Sequence, residues 1–159
     1  MLIPILKTLH VTGALLFLGA GLMTAWYKFR ADRSGDVRIV VWCQQEIVRA
    51  DWIFTTPSAV ILPVTGIWLV YLYNLPWTTP WVLWGIGGFS MAGLLWLPAV
   101  RLQLHMRQLA EQALASGEPL PAEFHRMNRL WLALGVPAFA IAAFTVWLMV
   151  AKGSAFAFF

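Results

Sequence analysis

Four long apolar stretches, separated by charged segments, constrain the fold of this chain more than any other feature. They cover residues 2–27, 53–73, 77–100 and 130–150. Each is long enough to cross a bilayer core as a helix, which takes about 20 residues. The chain is 60% hydrophobic and 11% charged, whereas globular domains are about 25% charged. This excludes a soluble globular protein and predicts one all-α domain over residues 1–159, an integral membrane four-helix bundle in the lipid bilayer.

The charged residues lie almost entirely in two segments of the chain. Nine of the eleven basic residues and all seven acidic residues fall just after the first stretch or between the third and fourth, whereas residues 74–80 carry no charge. Basic residues are enriched in the cytoplasmic loops of membrane proteins. The pattern therefore predicts that both charged segments are cytoplasmic and both termini lie outside. The net charge of +4 is interpreted as an orientation signal, and no nucleic-acid partner is expected.

The second and third helices are predicted to extend beyond the membrane on the cytoplasmic side. Residues 37–53 contain no Gly or Pro and mix apolar with polar positions, as amphipathic helices do. Residues 101–115 continue the third stretch as a polar helix that ends near Ser116 and Gly117, and Pro121 with Glu123 begins the last helix. The ten tryptophans gather toward the predicted helix ends and are interpreted mainly as interfacial anchors.

His10 is the residue that most suggests chemistry. Titratable side chains inside a membrane span are costly and point to function, and His10 lies about 12 Å along the first helix from Leu2 at 1.5 Å per residue. Lys7 shares its helix face. His10 is interpreted either as an interhelical hydrogen-bonding residue or as a ligand of a metal or haem iron. Lys7 is interpreted either as an ammonium that snorkels to the interface or as a cofactor contact.

Arginines at the cytoplasmic boundary form a second candidate site. Arg49 is spaced to pair with Glu46, and with Arg126 or Arg129 from the last helix it would clamp an acidic group such as a haem propionate or a lipid phosphate. The alternative is an ordinary solvated helix face with ion pairs of little energetic weight. Both interpretations stay open at the level of sequence.

The two remaining histidines, His105 and His125, are expected in the cytoplasmic segments. They are interpreted as surface residues, or as a pair that meets across the turn between their helices. The predicted topology separates both of them from His10, so it argues against a three-histidine metal site. The sequence contains no phosphate-binding glycine loop, zinc-ligand spacing or nucleophile elbow.

Three of the apolar stretches contain distinctive short motifs. They are LKTLHVTGALLFLGAG at residues 6–21, FTTPSAVILPVTGIWLV at residues 54–70 and FHRMNRLWLALGVPAFAIAAFTVWLMVAKG at residues 124–153. These motifs resemble the HemJ-type protoporphyrinogen oxidases and the CopD-like membrane proteins. As a whole, the chain resembles an uncharacterised bacterial family of integral membrane proteins related to that superfamily, with residues 49–51 as part of its pattern.

The resemblance implies a membrane-embedded redox protein of a bacterial inner membrane that binds haem b or another porphyrin. It implies His10 as the haem ligand, Lys152 as a functional lysine, and an activity of the protoporphyrinogen-oxidase type. The third span has no histidine where HemJ-type proteins have one. The alternative function is that of a non-catalytic membrane protein, either a permease for small solutes or metals or an accessory subunit. A homo-oligomer or a membrane redox partner is the expected assembly.

Overall fold

Five α-helices and one π-helical turn, with no strand, make up residues 1–152, the part of the chain that the computed structural model describes. Four helices are long and apolar enough to cross a membrane, because α2, the turn and α3 run on as one helix. The predicted all-α, four-helix class is confirmed, and residues 153–159 of the predicted domain lie outside the described part. The elements are α1 (Leu2–Asp32), α2 (Val37–Ala50), the π-helical turn (Asp51–Thr55), α3 (Thr56–Leu72), α4 (Pro80–Ser116) and α5 (Ala122–Ala151).

The continuous helix Val37–Leu72 changes from polar to apolar near its π-helical turn. It begins at Asp36, whose side chain accepts a hydrogen bond from the Arg38 N–H at 2.8 Å and so satisfies a free donor of the first turn. Pro57 has no N–H for the carbonyl four residues earlier, and its ring crowds that carbonyl. We attribute the wider π-helical winding, which directly precedes Pro57, to this conflict.

The connection between α4 and α5 follows the local sequence signals. Gly117 adopts a left-handed φ of 72° directly after Ser116, and the Glu118 N–H closes the last turn on the Ala113 carbonyl. A glycine in this conformation is the usual end of a helix, because it lacks the Cβ that would be strained there. Pro121 is the N-cap of α5. The predicted extension of the third helix therefore ends where the sequence indicates.

Most of the buried apolar side chains lie at one end of the bundle, which we call the charged end (residues 28–51 and 101–129). There α2 packs against both α1 and α4, while α5 packs against α4. This end therefore has the close-packed interior of a small globular core. The main cluster of buried residues comprises Val40, Val41, Ala99, Met106, Ala110, Phe124, Met127 and Trp131.

A polar contact also ties α2 to α4 at the charged end. The Arg107 Nε donates to Glu111 Oε1 at 2.8 Å, and the Gln45 amide donates to the same oxygen at 2.9 Å. The two donors hold the pKa of Glu111 below its usual range, and Arg107 has the larger effect. The charged faces of these helices are thus part of the packing between them.

The opposite half of the bundle consists of two helix pairs. α1 packs against α3, and α4 packs against α5; across residues 1–152, α3 shares no comparable interface with α4 or α5. Contacts between the pairs include the Phe17 and Phe89 rings, whose centroids are 6.2 Å apart, and the ring of Phe139 beside Gly21. The pairs are therefore joined more loosely here than at the charged end.

Small residues allow α4 and α5 to approach closely. A Cβ added at Gly88 would collide with Thr145 Oγ1, and one added at Gly85 would collide with the terminal methyl group of Met149. Close approach through glycine is a common way for membrane helices to gain van der Waals contact, since lipid provides no hydrophobic driving force between them. In this half of the bundle the α4–α5 pair is thus packed through small residues.

Candidate functional site

His10 on α1 is hydrogen-bonded to α3. Its Nδ1 lies 2.9 Å from Thr65 Oγ1. The Thr65 hydroxyl has a single hydrogen, which it donates to the Ile61 carbonyl oxygen at 2.6 Å. The Thr65 oxygen is then an acceptor for His10 in the tautomer that has its hydrogen on Nδ1. In that tautomer the lone pair lies on Nε2.

The His10 ring lies directly against the backbone of α3. A Cβ added at Gly66 would lie 3.1 Å from His10 Cε1, which is tighter than nine in ten real Cβ contacts. Thr65 is buried, whereas His10 is only half-buried, so part of the ring lies outside the α1–α3 interface. The arrangement is an imidazole whose Nδ1 lies against a hydroxyl group of the neighbouring helix, and a hydrogen bond of this kind on one ring nitrogen is usual for a metal-ligating histidine.

The two candidate lysines lie at the same end of the bundle as His10. Lys7 is exposed and lies one helical turn from His10, toward the beginning of α1. Lys152 is exposed and follows the last turn of α5, which runs from the charged end to the opposite end. Both lysines are thus exposed at the end of the bundle where His10 lies.

The two candidate arginines lie at the charged end, away from His10. Arg126 lies two residues before Asn128, whose amide donates a hydrogen bond to Asp32 at 2.8 Å. Asp32 lies about 33 Å from His10 along α1, at 1.5 Å per residue. Arg126 is therefore near the end of α1 that is far from His10. Arg49 pairs with the glutamate three residues earlier, and its side chain is 67% exposed. The structure does not bring Arg49 or Arg126 to His10.

His105 and His125 are surface residues of the charged end. His105 Nε2 lies 4.0 Å from Glu123 Oε1, with both side chains about half exposed, and the His125 ring packs edge-on against Phe124. No group of three or more His, Cys, Asp and Glu residues that could hold a metal ion occurs in the described part of the chain. A prosthetic group that needs one axial histidine remains compatible with His10.

The sequence pattern does not predict the buried ion pair at the charged end. It includes Lys28 only among the basic residues of a predicted cytoplasmic segment. Lys28 is 2% exposed and its Nζ lies 3.1 Å from Asp32 Oδ2. The ammonium also lies 5.2 Å from the ring centroid of Phe124 and 5.7 Å from that of Trp131, so cation–π attraction adds to the ion pair. The spacing of four residues between the two charges is the signal that points to their pairing.

Asp51 is a second polar residue that the structure draws into the bundle, at the beginning of the π-helical turn. Thr55 Oγ1 donates to one carboxylate oxygen at 2.8 Å, and the Gln103 amide from α4 donates to the other at 3.1 Å. π-helical turns occur frequently at functional sites. Here the turn ties the long second helix to α4 where the apolar stretch begins.

Comparison with known proteins identifies the family of this chain. Neither a curated protein nor a solved structure matches it. A family model described as a predicted integral membrane protein matches residues 4–153, which agrees with the four apolar helices. The chain belongs to the DUF2269 family of predicted integral membrane proteins.

Proposed function

We propose that this protein is a membrane-embedded redox protein that binds haem b, or a related porphyrin, through His10. The observation that carries the proposal is the hydrogen bond from His10 Nδ1 to Thr65, which leaves the Nε2 lone pair available. Neutral imidazole is a common proximal ligand of haem iron, and its other N–H ordinarily has a fixed acceptor. The resemblance of residues 6–21 to the first helix of HemJ-type proteins supports the same residue.

The residues at this end of the bundle fit a flat group with acidic substituents. Gly66 lets the His10 ring lie against α3, and Lys7 and Lys152 are the cations that would pair with propionates. The distant arginines of the charged end are not part of this proposed site. When bound, the haem supplies one-electron transfer, while the chain binds the group, orients it and adjusts its electronic properties.

An absorption spectrum of the detergent-purified protein, recorded before and after reduction with dithionite, tests the proposal. We expect a Soret band that shifts on reduction. His10→Ala removes the proposed ligand and should lose the band, whereas the matched variant His125→Ala, at the charged end, should keep it. Oxidation of protoporphyrinogen by the haem-loaded protein is the activity to assay, because the resemblance implies it.

Two outcomes would contradict the proposal. One is a wild-type protein that takes up no haem when haem is supplied during expression. The other is a His10→Ala variant with an unchanged haem content and spectrum. A far-ultraviolet circular dichroism spectrum of each variant distinguishes loss of the ligand from loss of the fold.

A non-catalytic membrane subunit is the second candidate, and it is favoured by the one-sided packing of α3 against α1. α3 presents an apolar stripe that is 53–73% exposed, at spacings typical of a helix that packs against another helix. A second copy of this chain or another membrane subunit would cover that stripe. A stable complex without a chromophore is the result that favours this function over haem binding. The stripe consists of Val60, Val64, Ile67 and Tyr71.

A further inference from the structure

An open groove of about 430 Å³ lies between α4 and α5, where the apolar parts of both helices meet the charged end. Its polar lining residues are Arg101 and His105, both of which are exposed. It lies at the end of the bundle away from His10, so it is separate from the proposed haem site. The apolar lining residues are Pro98, Leu102, Leu130, Ala133 and Leu134.

The charged groups around the groove are mainly cationic. Arg101 and His105 are four residues apart and therefore share a face of α4. On α5, Arg126 lies one turn before Leu130 and continues the groove-lining face toward the charged end. Glu123 is the acidic group that faces His105, at 4.0 Å.

The depth of the groove matches the boundary between acyl chains and headgroups. Arg101 is the first charged residue after the apolar stretch 77–100, and His105 lies about 6 Å farther along α4. Pro98 and Leu134 lie on the apolar side of Arg101 and His105. A molecule lying along the groove would meet hydrocarbon side chains over its length and positive charge at one end.

We propose that this groove binds an anionic phospholipid, with its phosphate at Arg101 and His105 and one acyl chain along the apolar lining. Basic pockets between membrane helices are known to bind anionic headgroups. The arginine guanidinium matches phosphate oxygens with two parallel N–H donors. The charge at the groove thus selects the headgroup, while the apolar lining distinguishes a lipid from free phosphate.

Native mass spectrometry of the full chain in detergent, titrated with dioleoylphosphatidylglycerol or with dioleoylphosphatidylcholine, tests this proposal. We expect preferential retention of phosphatidylglycerol. Arg101→Gln should weaken its binding about five-fold, as expected for the loss of one cation at a membrane surface. Arg30→Gln removes the same charge from the last turn of α1, outside the groove, and should bind as the wild type does.

A second variant tests the apolar part of the groove. Ala133 is exposed, so Ala133→Phe fills the groove without replacing a buried side chain and should also weaken lipid binding. Three results would each overturn the proposal. They are equal retention of the two lipids, equal effects of Arg101→Gln and Arg30→Gln, and undiminished binding by Ala133→Phe. So would displacement of the lipid by an equal concentration of inorganic phosphate, or a dimer that occupies this face and excludes the lipid.

Discussion

At the scale of single residues, Lys28 shows that a basic residue of a predicted cytoplasmic segment can be part of the packed interior. Its ammonium is compensated by Asp32 and by the faces of two aromatic rings on α5. Burial of an ammonium is tolerated only with such partners, because desolvation of a charge is expensive. The partner rings come from a helix about a hundred residues later, so local sequence alone does not determine which way Lys28 points.

The hydrogen bond between Thr65 and His10 leads to a prediction about redox potential. Thr65→Val removes the acceptor of the Nδ1–H, whereas Thr65→Ser keeps a hydroxyl. Because this bond makes Nε2 more basic and thus favours ferric iron, we expect a higher reduction potential for bound haem in Thr65→Val and a near wild-type value in Thr65→Ser. Spectroelectrochemical titration measures the three potentials, and equal values would show that this bond does not tune the iron.

Cys43 leads to a prediction about pH, since α2 lies outside the membrane-spanning segments. The thiol is 3% exposed, and burial raises its pKa to about 11, against the opposing effect of Lys28. Only the thiolate is nucleophilic. Alkylation by iodoacetamide should therefore be slow at pH 7 and accelerate about ten-fold per pH unit up to pH 10.

The unfolded protein provides the control for this pH profile. In sodium dodecyl sulfate the thiol should have an ordinary pKa, about 8.5, so its alkylation rate should level off near pH 9. A folded protein whose rate also levels off there would contradict the burial of this thiol. Mass spectrometry of the Cys43 peptide measures both rates.

At the scale of elements, helix ends are predicted well and helix irregularities are not. The end of α4 depends on residues next to one another in the chain, Ser116 and Gly117, so the local sequence is sufficient to predict it. The π-helical turn begins at Asp51, which accepts a hydrogen bond that Gln103 donates from α4. An amphipathic pattern does not report such a tertiary contact, and the turn is therefore found only in the structure.

The glycines between α4 and α5 lead to a prediction about stability. Gly88→Ala places a methyl group against Thr145 Oγ1 and should lower the free energy of unfolding by about 1–3 kcal/mol through overpacking. Gly93→Ala on the same helix meets nothing within 4 Å and should be neutral or slightly stabilising, because alanine favours the helix. Denaturant titration in mixed micelles measures both.

A compensating change makes the origin of that destabilisation testable. Thr145→Ala removes the hydroxyl that the new methyl group would strike, so the double variant should recover much of the stability lost by Gly88→Ala. Two results would show that close packing at this point does not hold the two helices together. One is equal destabilisation by Gly88→Ala and Gly93→Ala, and the other is no recovery of stability in the double variant.

At the scale of the whole molecule, apolar length and charge distribution predict the number of helices and their extensions, because each bilayer crossing needs its own apolar segment. The sequence places His10 and the arginines in two candidate sites, and the structure also separates them. His10, Lys7 and Lys152 lie at one end of the bundle, and Arg49 and Arg126 lie at the other. The sequence does not show which side chains at one end face each other, because that depends on how the helices pack.

The orientation of the bundle is a further prediction, based on the positive-inside rule. We propose that the charged end faces the cytoplasm of a bacterial inner membrane. In a Cys43→Ala background, Asn74→Cys, in the α3–α4 connection, should react with a membrane-impermeant maleimide in intact cells whose outer membrane is permeabilised. Glu118→Cys, at an exposed position of the α4–α5 connection, should react only after the inner membrane is opened. The reverse labelling pattern would contradict the orientation.

The dense packing at the charged end and the sparse contact between the two helix pairs have a mechanical consequence. A relative tilt of the pairs must pivot where α2, α4 and α5 meet, because that is where they are firmly joined. Over a hydrocarbon core about 30 Å thick, a tilt of roughly 10° displaces the far ends by about 5 Å. His10 lies near the far end of the α1–α3 pair, so such a tilt would change its distance from α4 and α5 and leave its contact with Thr65 of α3 intact.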